Sequence, residues 1–85
     1  MKYISFAIRD SAVQCFMVPM YFQSKGQAIR AFTDEVNRVD VNNNLNKHPA
    51  DFGMYEIGTY DDETGQSMTL EPTLVVLASD VIIKN

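Results

Sequence analysis

Residues 52–71, FGMYEIGTYDDETGQSMTLE, contain the pattern that decides the fold. Two stretches rich in strand-forming residues flank an acidic, hydrogen-bonding run that ends in Gly65, and glycine adopts positive φ without steric cost. This is the chemistry of a type I turn with a bulge. We therefore predict a β-hairpin with strands over 52–60 and 66–71, joined by a turn over 61–65.

Strict alternation gives the first of these strands two faces. One face is predicted to carry Phe52, Met54 and Glu56, and the other Tyr55, Ile57 and Thr59. Beyond Pro72, which breaks the pattern, TLVVLAS (73–79) predicts a last strand. Its uninterrupted apolar run from Leu74 to Leu77 favours burial on both faces.

Two further strands are predicted in the N-terminal quarter. KYISFAIR (2–9) alternates, with Ile4, Phe6 and Ile8 on one side, as in a half-buried strand. VQCFMV (13–18) is largely apolar on both faces and predicts a strand that forms a hairpin with the first. Pro19 ends this second strand or places it at a sheet edge, because proline cannot donate a ladder hydrogen bond.

A helix is predicted to start at the capping-box spacing Ser24-Lys25-Gly26-Gln27 and to end near Asp40. Its apolar stripe consists of Ala28, Ile29, Phe32, Val36 and Val39. The predicted fold is a single α+β domain over residues 1–85, in the order β-β-α-β-β-β. It consists of a small antiparallel sheet of four to five strands with one helix packed on one face.

The chain length and its apolar residues indicate its assembly and its compartment. Eighty-five residues form a thin core, and unpaired strand edges invite pairing, so we expect a homo-oligomer. The single cysteine, Cys15, lies in an apolar run and is predicted to be a buried thiol in a reducing compartment. The apolar segment 11–22 is interrupted and too short to span a bilayer, so we expect a soluble cytoplasmic protein without membrane contact.

Histidine and carboxylate chemistry is the first functional class to weigh. The only histidine, His48, precedes Pro49, which biases it away from the helical spacing of paired metal ligands. Asp61, Asp62 and Glu63 lack the ligand pattern of a calcium loop. We interpret these residues as turn and loop positions, and we expect no metal, no cofactor and no enzymatic activity.

Nucleic-acid binding is the second class. The net charge of −4 argues against tight non-specific binding by a monomer, but it leaves a local basic stripe possible. Tyr3, Tyr21, Tyr55 and Tyr60 are predicted to be exposed, whereas Phe6, Phe16, Phe32 and Phe52 fall on predicted buried faces. The candidate contacts are Lys2, Arg9, Lys25, Arg30, Arg38 and Lys47, with Tyr55 and Tyr60 for stacking.

Two stretches, QSKGQAIRAFTDEVN (23–37) and NKHPADFGMYEIGTYDDETG (46–65), resemble the small nonstructural protein encoded by the fifth open reading frame of gokushovirus-type microviruses. The opening strand, beginning Lys2-Tyr3, fits this resemblance as well. The resemblance implies a phage with a small single-stranded DNA genome. It also implies an accessory role in genome replication, at the switch to single-strand production and packaging, in the host cytoplasm. It supplies no catalytic or binding residues.

Two hypotheses follow. In the first, the protein contacts single-stranded DNA, as an oligomer whose combined surface gathers the basic candidates beside exposed tyrosines. In the second, it regulates a viral or host replication protein, or the procapsid, without touching DNA, which the acidic pI of about 4.6 favours. The sequence does not choose between them.

Overall fold

The computed structural model describes residues 1–83, which form a five-stranded antiparallel sheet and three helices. The strands are β1 (Lys2–Asp10), β2 (Cys15–Phe16), β3 (Met20–Phe22), β4 (Phe52–Asp61) and β5 (Gln66–Leu77). The helices are α1 (Lys25–Asn37), α2 (Asn44–Lys47) and α3 (Ala78–Val81), and a 3₁₀ turn covers Pro49–Asp51. The predicted α+β class is confirmed, with α1 packed on one face of the sheet.

β1 and β4 are the central strands of the sheet. β5 pairs with the far side of β4, while β2 and β3 share the outer side of β1. The second predicted strand is therefore wrong in extent, because it is replaced by two short pieces on either side of Pro19. Proline carries no N–H for the ladder, which accounts for an interruption at this point.

One face of the sheet, here called the covered face, packs against α1 and forms the core. At its centre Phe6 and Met54 are fully buried. The core comprises Phe6, Ile8, Phe52 and Met54 from the sheet, Ala28, Phe32 and Val36 from α1, and Leu45 and Ala78 from the shorter helices. These residues include most of the predicted apolar stripe and the predicted buried side of β1.

The opposite face, here called the open face, is crossed by no helix within residues 1–83. Cross-strand partners share a face, so the register identifies its members. They are Tyr3, Ser5, Ala7 and Arg9 of β1, Phe16 of β2, Tyr21 of β3, Gly53, Tyr55, Gly58 and Tyr60 of β4, and Ser67, Thr69, Leu74 and Leu77 of β5.

A bulge in β4 changes which residues lie on the open face. The pairing with β1 passes from Phe6–Glu56 to Ser5–Gly58, which leaves Ile57 as the extra residue. The strict alternation predicted for β4 is therefore wrong beyond Glu56. Thr59 moves to the covered face, and Tyr60 joins Tyr55 on the open face.

Helix α1 begins where the capping box predicts. The Ser24 hydroxyl accepts a hydrogen bond from the Gln27 backbone N–H at 3.2 Å, and the Gln27 side chain accepts one from the Gln23 N–H at 3.2 Å. The helix ends at Asn37 instead of near Asp40, and Val39 is 86% exposed. Val39 therefore lies outside the apolar stripe to which it was assigned.

A buried asparagine explains the early end of α1. The Asn43 side chain donates to the carbonyl oxygens of Glu35 and Arg38, both at 2.8 Å. Its own oxygen accepts from the Leu45 N–H at 3.2 Å. One side chain thus caps the carbonyl end of α1 and the N–H end of α2, two sets of groups that helices leave unsatisfied.

The β4–β5 hairpin is confirmed, including its turn. The Gly65 N–H donates to the Asp61 carbonyl at 2.8 Å, and Gly65 has a φ of 72°. β5 continues through Pro72, which lies in a bulged part of this edge strand, where proline is tolerated. The predicted break at Pro72 is therefore wrong.

The apolar runs were predicted to be buried, and two of them are partly exposed. Cys15 is exposed and Phe16 is 45% exposed, because β2 lies at the sheet edge. Val75 and Val76 pack against the core, whereas Leu74 and Leu77 extend over the open face. The last strand ends at Leu77, and α3 follows it.

Candidate nucleic-acid interface

Three tyrosines meet at one end of the open face. Tyr3 and Tyr60 are cross-strand partners whose ring centroids lie 6.5 Å apart with an interplanar angle of 22°. Tyr21 approaches Tyr60 edge to face, at 5.8 Å and 61°. With Ser67 these rings line an open cavity of about 370 Å³, which we call the tyrosine slot.

A second aromatic group lies at the other end of the open face. Phe16 and Tyr55 contact edge to face, with ring centroids 5.4 Å apart. The Arg9 guanidinium carbon lies 6.0 Å from the centre of the Phe16 ring, within cation–π range. The guanidinium is therefore positioned beside exposed aromatic surface instead of being folded back into a carboxylate pair.

Small residues form part of the floor of the open face. Ser5, Ala7, Gly53 and Gly58 lie on the open face and are buried under their larger neighbours. A Cβ atom on Gly58 would lie 2.2 Å from the Met68 carbonyl oxygen, so no larger residue fits there without moving the backbone. The open face thus combines small buried residues with an aromatic group at each end.

The charge on the open face differs from that of the whole chain. Its paired positions within residues 1–83 include Arg9 and no carboxylate, although the chain has eleven acidic residues and a net charge of −4. Glu71 lies in the unpaired bulge of β5, and Glu56 and Asp61 lie on the covered side of β4. The paired positions of the open face thus carry one positive charge on an acidic protein, and Asp51 lies nearby, in a cavity that Arg9 and Tyr55 also line.

The other basic candidates are dispersed over the molecule. Lys2 pairs with Asp61 on the covered side of the sheet, and Arg30 is exposed on α1. Lys25 lies 3.6 Å from Glu56, and the Lys47 ammonium donates to the Val41 carbonyl at 3.1 Å. Lys84, the remaining basic residue, lies outside the described residues. Within one chain, these side chains do not form a stripe with Arg9.

Arg38 is engaged by two carboxylates. Its guanidinium donates to Glu35 at 2.6 Å and to Asp40 at 3.1 Å. These hydrogen bonds lower the pKa of Glu35, and the Asn42 backbone N–H, followed by Arg38, lowers the pKa of Asp40. The pKa of Arg38 is raised, mainly by Glu35. Its charge is compensated locally and is poorly placed to attract phosphate.

His48 and the acidic turn at residues 61–65 make hydrogen bonds with nearby backbone groups. The His48 N–H donates to the Asn44 carbonyl at 2.8 Å, and its carbonyl accepts from the Asp51 N–H at 3.0 Å. The Asp61 carboxylate accepts from the Glu63 N–H at 3.0 Å. Among the residues that the structure describes, no three histidine, cysteine or acidic side chains are grouped to hold a metal ion.

The open face therefore brings together all four tyrosines but only one of the six basic candidates. It also contains residues that the sequence analysis assigned to the core, namely Phe16, Leu74 and Leu77. The available signal for Phe16 was its position before Pro19, since a strand that proline terminates lies at an edge. The β4 bulge had no comparable signal.

The comparisons with known proteins give a family. No curated protein and no solved structure matches the chain. Over residues 1–83, no helix is long and apolar enough to cross a membrane. The pattern of one family, described as Phage ORF5 protein, matches residues 3–81, which is nearly the whole chain. The chain is therefore a phage protein and belongs to the Phage ORF5 protein family.

Proposed function

We propose that this phage protein is a nonstructural accessory factor of genome replication that binds single-stranded DNA through the open face. Its place is the switch from duplex synthesis to single-strand production and packaging in a gokushovirus-type microvirus, in the host cytoplasm. The observation that carries the proposal is the grouping of four tyrosines, Phe16 and Arg9 on one uncovered sheet face with no paired carboxylate.

The physical support comes from how single strands are recognised. Unstacked bases stack on aromatic side chains, and a sheet that displays aromatic residues is one platform that RNA-binding domains use. Stacking contributes about 1–3 kcal/mol per base and tolerates any sequence. A non-catalytic accessory protein that acts on a whole genome needs this tolerance.

The charge distribution determines how strongly the open face is expected to bind single-stranded DNA. The open face offers one cation per chain, so stacking has to supply most of the affinity, and binding should be weak. For single strands the slope of log K against log salt is about −0.7 per phosphate contact. We therefore expect a slope of about −0.7 per bound chain, provided that Arg9 makes the one phosphate contact.

Fluorescence anisotropy with a labelled oligothymidylate at several salt concentrations tests the proposal. Weak, saturable binding with a shallow slope is the expected result. A duplex of the same length is the matched control and should bind less well, because its bases are already stacked. No binding to the single strand at low salt and high protein concentration would contradict the proposal.

Assembly is a second part of the proposal. Within residues 1–83, β5 is an edge strand with one paired side, and it exposes Met68, Leu70 and Leu74. Such an edge can pair with another chain, although Pro72 limits the length of the pairing. A homo-oligomer formed there would join two open faces into one surface that carries two Arg9 side chains. Light scattering at micromolar concentrations tests this assembly.

The second candidate function is regulation of a viral or host replication protein without DNA contact. The chain's acidity favours it, together with the exposed leucines of the open face, which suit a protein surface. In that case the oligonucleotide would not bind. A pull-down from infected cells, with wild-type protein and a Leu74→Ser variant compared, would then identify the partner.

A further inference from the structure

We propose that the tyrosine slot, formed by Tyr3, Tyr21, Tyr60 and Ser67, binds one nucleobase of single-stranded DNA. This inference rests on the proposed function and makes it specific to one site. It divides the open face into a base-binding end, at the slot, and a phosphate-binding end, at Arg9.

The ring geometry of the slot suits a flat ligand. The centroid distance of 6.5 Å between Tyr3 and Tyr60 is near the upper end of the range for paired rings, about 4.5–7 Å. Neither ring therefore covers the other fully. Tyr21 stands at 61° to Tyr60 and makes a wall beside it. Parts of the Tyr60 and Tyr21 ring faces therefore stay accessible to a ligand in the slot.

The chemistry of the lining selects a neutral, polar ring. All four lining residues bear hydroxyl groups, and each hydroxyl can both donate and accept a hydrogen bond. No charged side chain lines the slot, so nothing there would compensate a phosphate or an ammonium group. A nucleobase combines a flat π-face with neutral donors and acceptors at its edge.

The slot is large enough to hold a nucleobase. A volume of about 370 Å³ lies at the lower end of the range for small-molecule sites, about 300–1,000 Å³. The floor cannot deepen, because β1 and β4 run beneath it and Gly58 already approaches the Met68 carbonyl oxygen. A base therefore lies over β1 and β4 and does not pass into the core.

The slot, where a base would stack, lies far from Arg9, where a phosphate would bind. Tyr3 and Arg9 are six residues apart on β1, which corresponds to about 20 Å at about 3.3 Å per residue. One nucleotide cannot reach both, so the strand runs lengthwise along the sheet. Removing a slot tyrosine should weaken binding without changing the salt slope.

Intrinsic tyrosine fluorescence tests the slot directly. The chain has no tryptophan, and three of its four tyrosines line the slot. Oligothymidylate should quench this emission, while an abasic oligomer of equal length should not. Tyr60→Leu should weaken oligothymidylate binding by roughly 5- to 150-fold, the range for one stacked base, and Tyr60→Phe, which keeps the ring and loses one hydroxyl, should weaken it less.

Two controls keep the test decisive. Tyr21→Leu is the second slot variant, because Tyr21 is already 53% exposed and its replacement should leave the fold intact by circular dichroism. Thr59→Ala, on the opposite face of β4, should bind like wild type. Wild-type affinity in folded Tyr60→Leu and Tyr21→Leu, or equal quenching by the abasic oligomer, would overturn the slot and leave the proposed function standing.

Failure of the proposed function gives a different result. If wild-type protein binds no oligonucleotide, free thymidine decides the question of the slot. If thymidine quenches the emission saturably and Tyr60→Leu abolishes this quenching, the slot is a nucleoside site and the proposed DNA-binding function is wrong. No quenching by thymidine would overturn both.

Discussion

The covered and open faces of the sheet have similar apolar content and very different surroundings. On the covered face, Phe6 and Met54 are completely buried beneath α1. On the open face, Phe16 and Tyr21 are about half exposed, although they belong to the same sheet. The core explains aromatic residues on the first face. On the second face the proposed DNA ligand would explain them, because exposed apolar patches mark interaction surfaces.

The largest expected contrast is in stability. Phe6→Ala removes a fully buried ring from the covered face, and such truncations cost about 3–5 kcal/mol. This is a large part of the 5–15 kcal/mol that typical domains possess. Tyr21→Ala on the open face should cost about 1 kcal/mol or less. Urea denaturation measures both variants, and equal losses would show that the open face is also a structural core.

A smaller loss of stability is expected at Asn43, which caps the end of α1 on the covered face. Asn43→Ala removes the side-chain donor to the carbonyls of Glu35 and Arg38, of which Glu35 keeps only the Arg38 N–H at 3.2 Å, at a cost of about 2–3 kcal/mol. The exposed neighbour in Asn42→Ala is the matched control and should change the free energy of unfolding by less than about 0.5 kcal/mol. Oligonucleotide affinity of folded Asn43→Ala should equal that of wild type, and a loss would link the two faces.

Two arginine variants distinguish the two faces by the salt dependence of DNA binding. Arg9→Ala on the open face should remove the phosphate contact and reduce the salt slope by about 0.7. Arg38→Ala should leave both affinity and slope unchanged, because its charge is compensated by Glu35 and Asp40. Anisotropy titrations at several salt concentrations measure both variants. A larger effect from Arg38→Ala would place the DNA on the helix side of the molecule.

The smallest effect is expected at a residue on neither face. His48 is exposed and acts through its backbone, so His48→Ala should change stability by less than about 1 kcal/mol and leave DNA binding intact. Denaturation and anisotropy together check this. Loss of phage replication with His48→Ala, in a folded protein that still binds DNA, would show a role that the backbone contacts do not explain.

The sequence predicted correctly the features that depend on residues close together along the chain. The capping box located the start of α1, and the turn residues located the β4–β5 hairpin, because both depend on neighbours within a few positions. It could not predict that Tyr55 and Tyr60 share a face. Their odd spacing places them on opposite sides of a regular strand, and only the bulge at Ile57 reverses this.

Burial of apolar runs was another failure, at Cys15-Phe16 and at Leu74-Leu77. An apolar run indicates that water is unfavourable on both faces, but it carries no information on which face the fold covers. Here all three helices contribute to the core on one face, so the other face stays open. The site thus depended on topology, which the spacing of residues did not reveal.

The most direct test of the open face as the DNA site is an NMR titration of the labelled protein with a short oligothymidylate. Binding at this face predicts amide shift changes concentrated at Tyr3, Tyr21, Tyr55 and Tyr60 and near Arg9, with α1 unaffected. Changes centred on α1 and its basic residues, or none at saturating oligonucleotide, would contradict it.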